Sequence, residues 1–399
     1  MKTIVAVALT GGIIGLVAAA AATGPRSRAQ ADLVLPLNPA SAGASPTPAE
    51  LGVKAARARI AKQPSRPDGH NDLAMSLARR ARETADPSFY KEASAALAES
   101  RRIAPGNFEA DKIEVWLLLG QHEFGAALDK ARALNRKMPD DLMVYGMLVD
   151  AAVELGRYAE AEAAAQWMLD LRPGNIPGLT RAAYLRELFG DIEGSLELMR
   201  MAIDQVHSRE TEERAWILTH ISHLELVAGR LDRAQQAAEG ALRLFPRYHY
   251  ALGALAGVYG RKGDHAREAA ILEARYQSAP HPENLFEWAA ALARAGDARG
   301  ARARFRQFET EARAEMEQAD NANRELVRYY PDHAGRPADA LRLAEREIAR
   351  RRDVATLDLY AWALFKNGRR EEARRHITEA LAVGTVEPAI RQHAEVIQH

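Results

Sequence analysis

Residues 142–173 read LMVYGMLVDAAVELGRYAEAEAAAQWMLDLRP. In the first half, apolar side chains recur at the 3.6-residue spacing of a half-buried helix. Gly156 follows, the residue type that accepts a left-handed backbone and ends a helix. A second apolar-periodic run begins at Tyr158 and carries Ala161 and Met168. Pro173 cannot continue that run as a helix. The stretch therefore predicts two helices joined by a tight turn. Such a pair leaves one apolar face uncovered, so it needs neighbours of its own kind stacked against it.

The neighbours are present on both sides. Turn triplets recur at Gly190-Asp191-Ile192, Gly229-Arg230-Leu231, Gly263-Asp264-His265, Gly296-Asp297-Ala298 and Gly368-Arg369-Arg370, at a period of roughly 34 residues. Pro105, Pro139, Pro246 and Pro280 close other copies, and Ala234, Ala241, Ala373 and Ala380 repeat the small residue that lets paired helices approach. The register is disturbed in three places. The first copy has an insertion at Asp86-Pro87-Ser88-Phe89-Tyr90, the copy near His207 lacks its proline, and the second helix after Gly296 runs on towards Asp320.

The pattern resembles the tetratricopeptide repeat (TPR) family over about residues 72–385. The resemblance implies an all-α fold, a right-handed α-solenoid of about nine helix-turn-helix repeats, with the first helix of each pair lining a concave groove. It also implies which positions face that groove. The ninth position of the unit gives Trp116, Asp150, Tyr184, His223, Tyr329 and Trp362, and the second and fifth positions add Trp216, Tyr250 and Phe286. Rings offer large contact area at low entropic cost, which suits a protein or peptide partner and also suits a glycan. The expected function is a non-catalytic scaffold for a protein or peptide partner. The alternative is an envelope scaffold for polysaccharide.

Composition narrows the remaining classes. Lys plus Arg and Asp plus Glu are both 54 in 399 residues, so the basic surplus expected of a nucleic-acid binder is missing and no nucleic-acid partner is expected. The chain has no cysteine, which removes disulfides and thiolate metal sites. No phosphate-cradling glycine loop, H-E-x-x-H or nucleophile elbow occurs, so no cofactor, metal or catalytic residue is assigned. His220 and His223 could share a helix face. A metal-dependent enzyme built on them is the least favoured reading.

The N-terminus reads as an address. Lys2 precedes an Ala/Val/Ile/Gly run over residues 3–23, and Ala29-Gln30-Ala31 offers a small-residue cleavage site. Residues 1–31 are expected to be a signal peptide, or else a membrane tether through residues 3–23. Residues 32–48 are a Pro/Ala-rich linker and residues 49–67 a leading helix. Residues 68–385 form the superhelix, and residues 386–399 a terminal capping or incomplete-repeat helix. The expected location is periplasmic or secreted, or anchored with the repeats outside the cytoplasm.

Overall fold

The computed structural model describes residues 46–318 and 321–399. The expected signal peptide and nearly all of the expected linker lie outside the described residues. Among those described, no helix is long and apolar enough to cross a membrane.

The described residues form helices joined by short turns. A leading helix α1 (Pro48–Lys62) is followed by α2 (Pro67–Thr84) with α3 (Ser88–Ile103), α4 (Phe108–Gly120) with α5 (Phe124–Lys137), and α6 (Leu142–Glu154) with α7 (Tyr158–Leu171). Next come α8 (Ile176–Leu188) with α9 (Ile192–Gln205), α10 (Thr211–Val227) with α11 (Leu231–Leu244), and α12 (His249–Arg261) with α13 (His265–Ser278). The last pairs are α14 (Pro282–Arg294) with α15 (Ala298–Glu315), α16 (Asn323–Asp332) with α17 (Pro337–Arg350), and α18 (Val354–Lys366) with α19 (Arg370–Ala382). The helix α20 (Pro388–Gln398) lies beyond them. Each helix packs on the next, and the first helices of successive pairs also touch, as in α4 with α6 and α6 with α8.

Local sequence explains the ends. Asp141 Oδ1 accepts from Val144 N at 3.0 Å and Asn175 Oδ1 from Gly178 N at 2.7 Å, while Asp191 and Asp297 repeat the contact on their own helices. Each such cap contributes about 1 kcal/mol. Thr47 and Glu50 make a capping box that starts α1 at Pro48, one residue inside the expected linker. Ala161, Ala234, Ala241, Ala373 and Ala380 are fully buried between paired helices.

The stack does more than follow a groove; it returns onto itself. Arg352 N donates to Glu154 O at 2.9 Å, and Val354 N donates to Tyr158 Oη at 3.0 Å. Arg351 pairs with the Glu154 carboxylate, and Arg82 pairs with Glu212. His249 Nε2 donates to Arg82 O at 2.9 Å. A Cβ on Gly156 would stand 2.7 Å from Arg352 O, and one on Gly190 2.5 Å from Gly384 O. In every case the turn inside one pair meets the turn between two later pairs. One apolar cluster likewise joins Val149 and Ala165 to Ile377 and Ile390. Successive coils are thus in contact along a seam.

Candidate functional site

Where the nine expected groove residues lie depends on this coiling. Tyr184 keeps 37% of its surface open. It stands edge-on to His220, whose ring also meets Trp216 and His223. These residues come from α8 and α10, first helices of neighbouring pairs, so one inner-face patch holds Tyr184, Trp216 and His223. Trp116 and Tyr250 come together elsewhere, in a cavity of about 310 Å³ between coils. Trp362 is half-buried, because α20 lays His393 flat on its indole at 4.2 Å and Asp332 accepts from its Nε1 at 2.9 Å. Asp150 is engaged by Arg181, which donates to its two oxygens at 2.8 and 2.5 Å.

Two of the nine are corrected. Phe286 is 2% exposed and Tyr329 6% exposed, so neither faces a groove. Both are packed with Phe305 and Phe308, at ring separations of 5.2 to 5.9 Å. The reason is local. Packing between α15 and α16 is the sparsest between consecutive helices of the stack, at the place where α15 is lengthened. Phe305 and Phe308 of α15 gather Phe286 from α14 and Tyr329 from α16 into one aromatic cluster.

The histidine pair is tied to a carboxylate. His220 Nε2 and His223 Nε2 reach the two oxygens of Glu187 at 2.6 and 3.0 Å, and Glu387 from the next coil stands 3.7 Å from His223. Burial opposes charge on Glu187, but the two imidazoles outweigh it and hold the carboxyl down at about 2. Burial opposes charge on His223 as well, and Glu187 still holds it above its ordinary value. Among the described residues no group of three His, Asp or Glu side chains is arranged to hold a metal ion.

Sequence reasoning missed the residues of the inter-coil cavity. His249 and Arg275 are buried in its wall, and the half-buried Arg82 and His122 also line it. His122 and Ala85 have φ of 59° and 53°, and each occupies the turn where the later pairs carry glycine. That substitution is visible in the sequence and could have drawn attention to both positions. Burial, together with Arg351 and Arg324, pushes the His122 imidazole down to about 3. Burial likewise pushes His249 down to about 4, against the opposing hydrogen bond to Arg82 O. Both rings are neutral at physiological pH. Burial disfavours the charge of Arg82, but Glu212 more than compensates and raises it.

No known family's sequence profile matches the chain, and no curated protein matches it by sequence. Solved structures do. The Cut9 complex with Hcn1 (APC/C hetero-tetramer) superposes with a TM-score of 0.50 at 12% identity, over 82% of this chain and 56% of that one. The present chain thus spans little more than half of that relative. The human IFIT1 dimer with m7Gppp-AAAA gives 0.50 at 14% identity over 85% of this chain and 96% of that one. PilW, a type IV pilus biogenesis factor, gives 0.44 at 11% identity over 52% of this chain. The fold is that of the tetratricopeptide-repeat solenoids.

Proposed function

We propose that the protein is an exported, non-catalytic scaffold that holds a protein or peptide segment against its inner face at Tyr184 and Trp216. The observation that carries this reading is the open ring of Tyr184 beside Trp216 and a Glu187 carboxylate held by His220 and His223. An exposed aromatic held rigidly beside hydrogen-bonding groups is the usual anchor of a peptide contact. The repeat fold, shared with solenoids that work in protein assemblies, supports the same reading. The balance of 54 basic and 54 acidic residues supports a protein rather than a nucleic acid as partner. Export rests on the charge and apolar pattern of residues 1–31.

The test is a pull-down from envelope extract with the full chain and with a Tyr184→Ala, Trp216→Ala variant, both checked for helicity by circular dichroism. A partner retained by the first and reduced at least tenfold by the second supports the reading. Equal recovery would contradict it and move the contact to the outer face, where Trp167 on α7 and Met201 on α9 are exposed at equivalent positions.

A further inference from the structure

The seam between coils is not uniform. At Gly156 and Gly190 the backbones touch, whereas at Ala85 and His122 the coils part around the cavity of about 310 Å³. That volume lies at the lower end of small-molecule pockets. A second space of about 120 Å³ shares His122 and Glu283 with it and continues the gap along the seam. The two non-glycine residues hold left-handed backbone there, at about 1–2 kcal/mol each. Retained strain of this kind is characteristic of binding sites. Gly120 shapes the wall, because a Cβ there would come within 2.5 Å of the Tyr90 hydroxyl.

The chemistry of the wall limits what fits. Tyr90 and Trp116 from the first coil and Tyr250 from the second supply flat apolar surface. The charges are already matched: Arg82 by Glu212, and Arg275 by Glu287 with Glu283 at 3.8 Å. What remains unmatched is directional. Arg82 Nε, Arg275 Nε and His249 Nδ1 have no hydrogen-bond partner. The first two are N–H donors. Since His249 donates through Nε2 to a carbonyl, its Nδ1 carries a bare lone pair. Buried groups left in this state cost about 1–3 kcal/mol each.

A fully ionised anion offers no proton to His249 and would meet the Glu283 carboxylate that lines the cavity. An apolar molecule satisfies none of the three atoms. A ligand with an apolar face and a rim of groups that both donate and accept satisfies all of them. We propose that the gap between the coils is a binding site for a neutral monosaccharide. Its ring C–H face lies on Trp116 or Tyr250. Its hydroxyls accept from Arg82 and Arg275 and donate to His249 Nδ1, after a small turn of each guanidinium. The site shares no residue with the Tyr184–Trp216 patch, so either proposal can fail without the other.

Isothermal titration of the full chain with glucose, galactose, mannose and N-acetylglucosamine, beside glucuronate and inorganic phosphate, tests it. The expected result is saturable binding of at least one neutral sugar at millimolar or tighter Kd. That binding should weaken at least tenfold in Trp116→Ala, and equally in Ala81→Leu, which fills the space from its wall. The proposal is overturned if no neutral sugar saturates at tens of millimolar, or if glucuronate or phosphate binds in preference. It is also overturned if either substitution, in protein that remains helical, leaves binding unchanged.

Discussion

The turns inside the first repeats and those inside the later ones do different work. Gly190 and Gly263 have nearly the same φ, 82° and 78°, and the same place in the repeat. Around Gly263 a Cβ would meet nothing within 4 Å, while at Gly190 it would strike Gly384 O of the next coil. The later turn needs glycine only to reverse the chain. The earlier turn needs it also to let a second coil come down upon it. Between these extremes stand Ala85 and His122, early turns without glycine, where side chains such as His249 bridge the coils and leave a cavity between them. One repeat position therefore decides whether the seam is shut or open.

The largest effect that can break this comparison is expected from glycine itself. Gly263→Ala should cost about 1–2 kcal/mol, the price of a left-handed alanine. Gly190→Ala adds a backbone clash worth a further 1–3 kcal/mol or so. Urea denaturation followed by circular dichroism should place Gly190→Ala clearly below Gly263→Ala, and equal midpoints would contradict the contact. A smaller effect is expected at Tyr158, whose hydroxyl is the acceptor for Val354 N across the seam. Tyr158→Phe leaves that amide unpartnered and should cost about 1–3 kcal/mol, with faster hydrogen exchange at Val354.

The smallest effect is a pH dependence at the Glu187–His223–Glu387 contact. His223 is raised, so its contribution is complete below its ordinary value of 6.5 and fades as pH rises through the higher folded value. Glu187 is held at about 2, so its contribution is complete above its ordinary 4.5 and is lost only as pH falls towards 2. The contact is strongest between roughly pH 4.5 and 6.5. Because His223 is part-exposed, the change from pH 6 to 8.5 should be on the order of 0.5 kcal/mol. His223→Gln should flatten the slope, and a slope of opposite sign would exclude the pair as its source.

Much of the fold was legible because its rules are local. Gly156, Ala161 and Pro173 each announce their role within a few residues, and the same signals recur along the chain. The lengthened α15 was legible too, as the run through Glu309-Thr310-Glu311-Ala312-Arg313 past the expected helix end. The seam was not, because Glu154 and Arg351 are far apart in sequence and their pairing depends on the pitch accumulated over several repeats. For the same reason a repeat position alone could not separate Tyr184, which remains open, from Phe286 and Tyr329, which are drawn into the Phe305–Phe308 cluster. The cavity left one local trace, the absence of glycine at Ala85 and His122.

The contact between coils can be measured directly, because the chain has no cysteine of its own. A Cβ at residue 156 would lie 3.3 Å from that of Arg352, within a few tenths of an ångström of disulfide spacing. A doubly substituted protein, Gly156→Cys with Arg352→Cys, is destabilised by the left-handed cysteine and its contact with Arg352 O, but should still form an intramolecular disulfide on mild oxidation and keep its helical spectrum. It should run as a compact, reductant-sensitive band under denaturing electrophoresis. Two thiols that both react with a maleimide, yet never cross-link in helical protein, would show that the coils do not meet and that the inner face is an open groove.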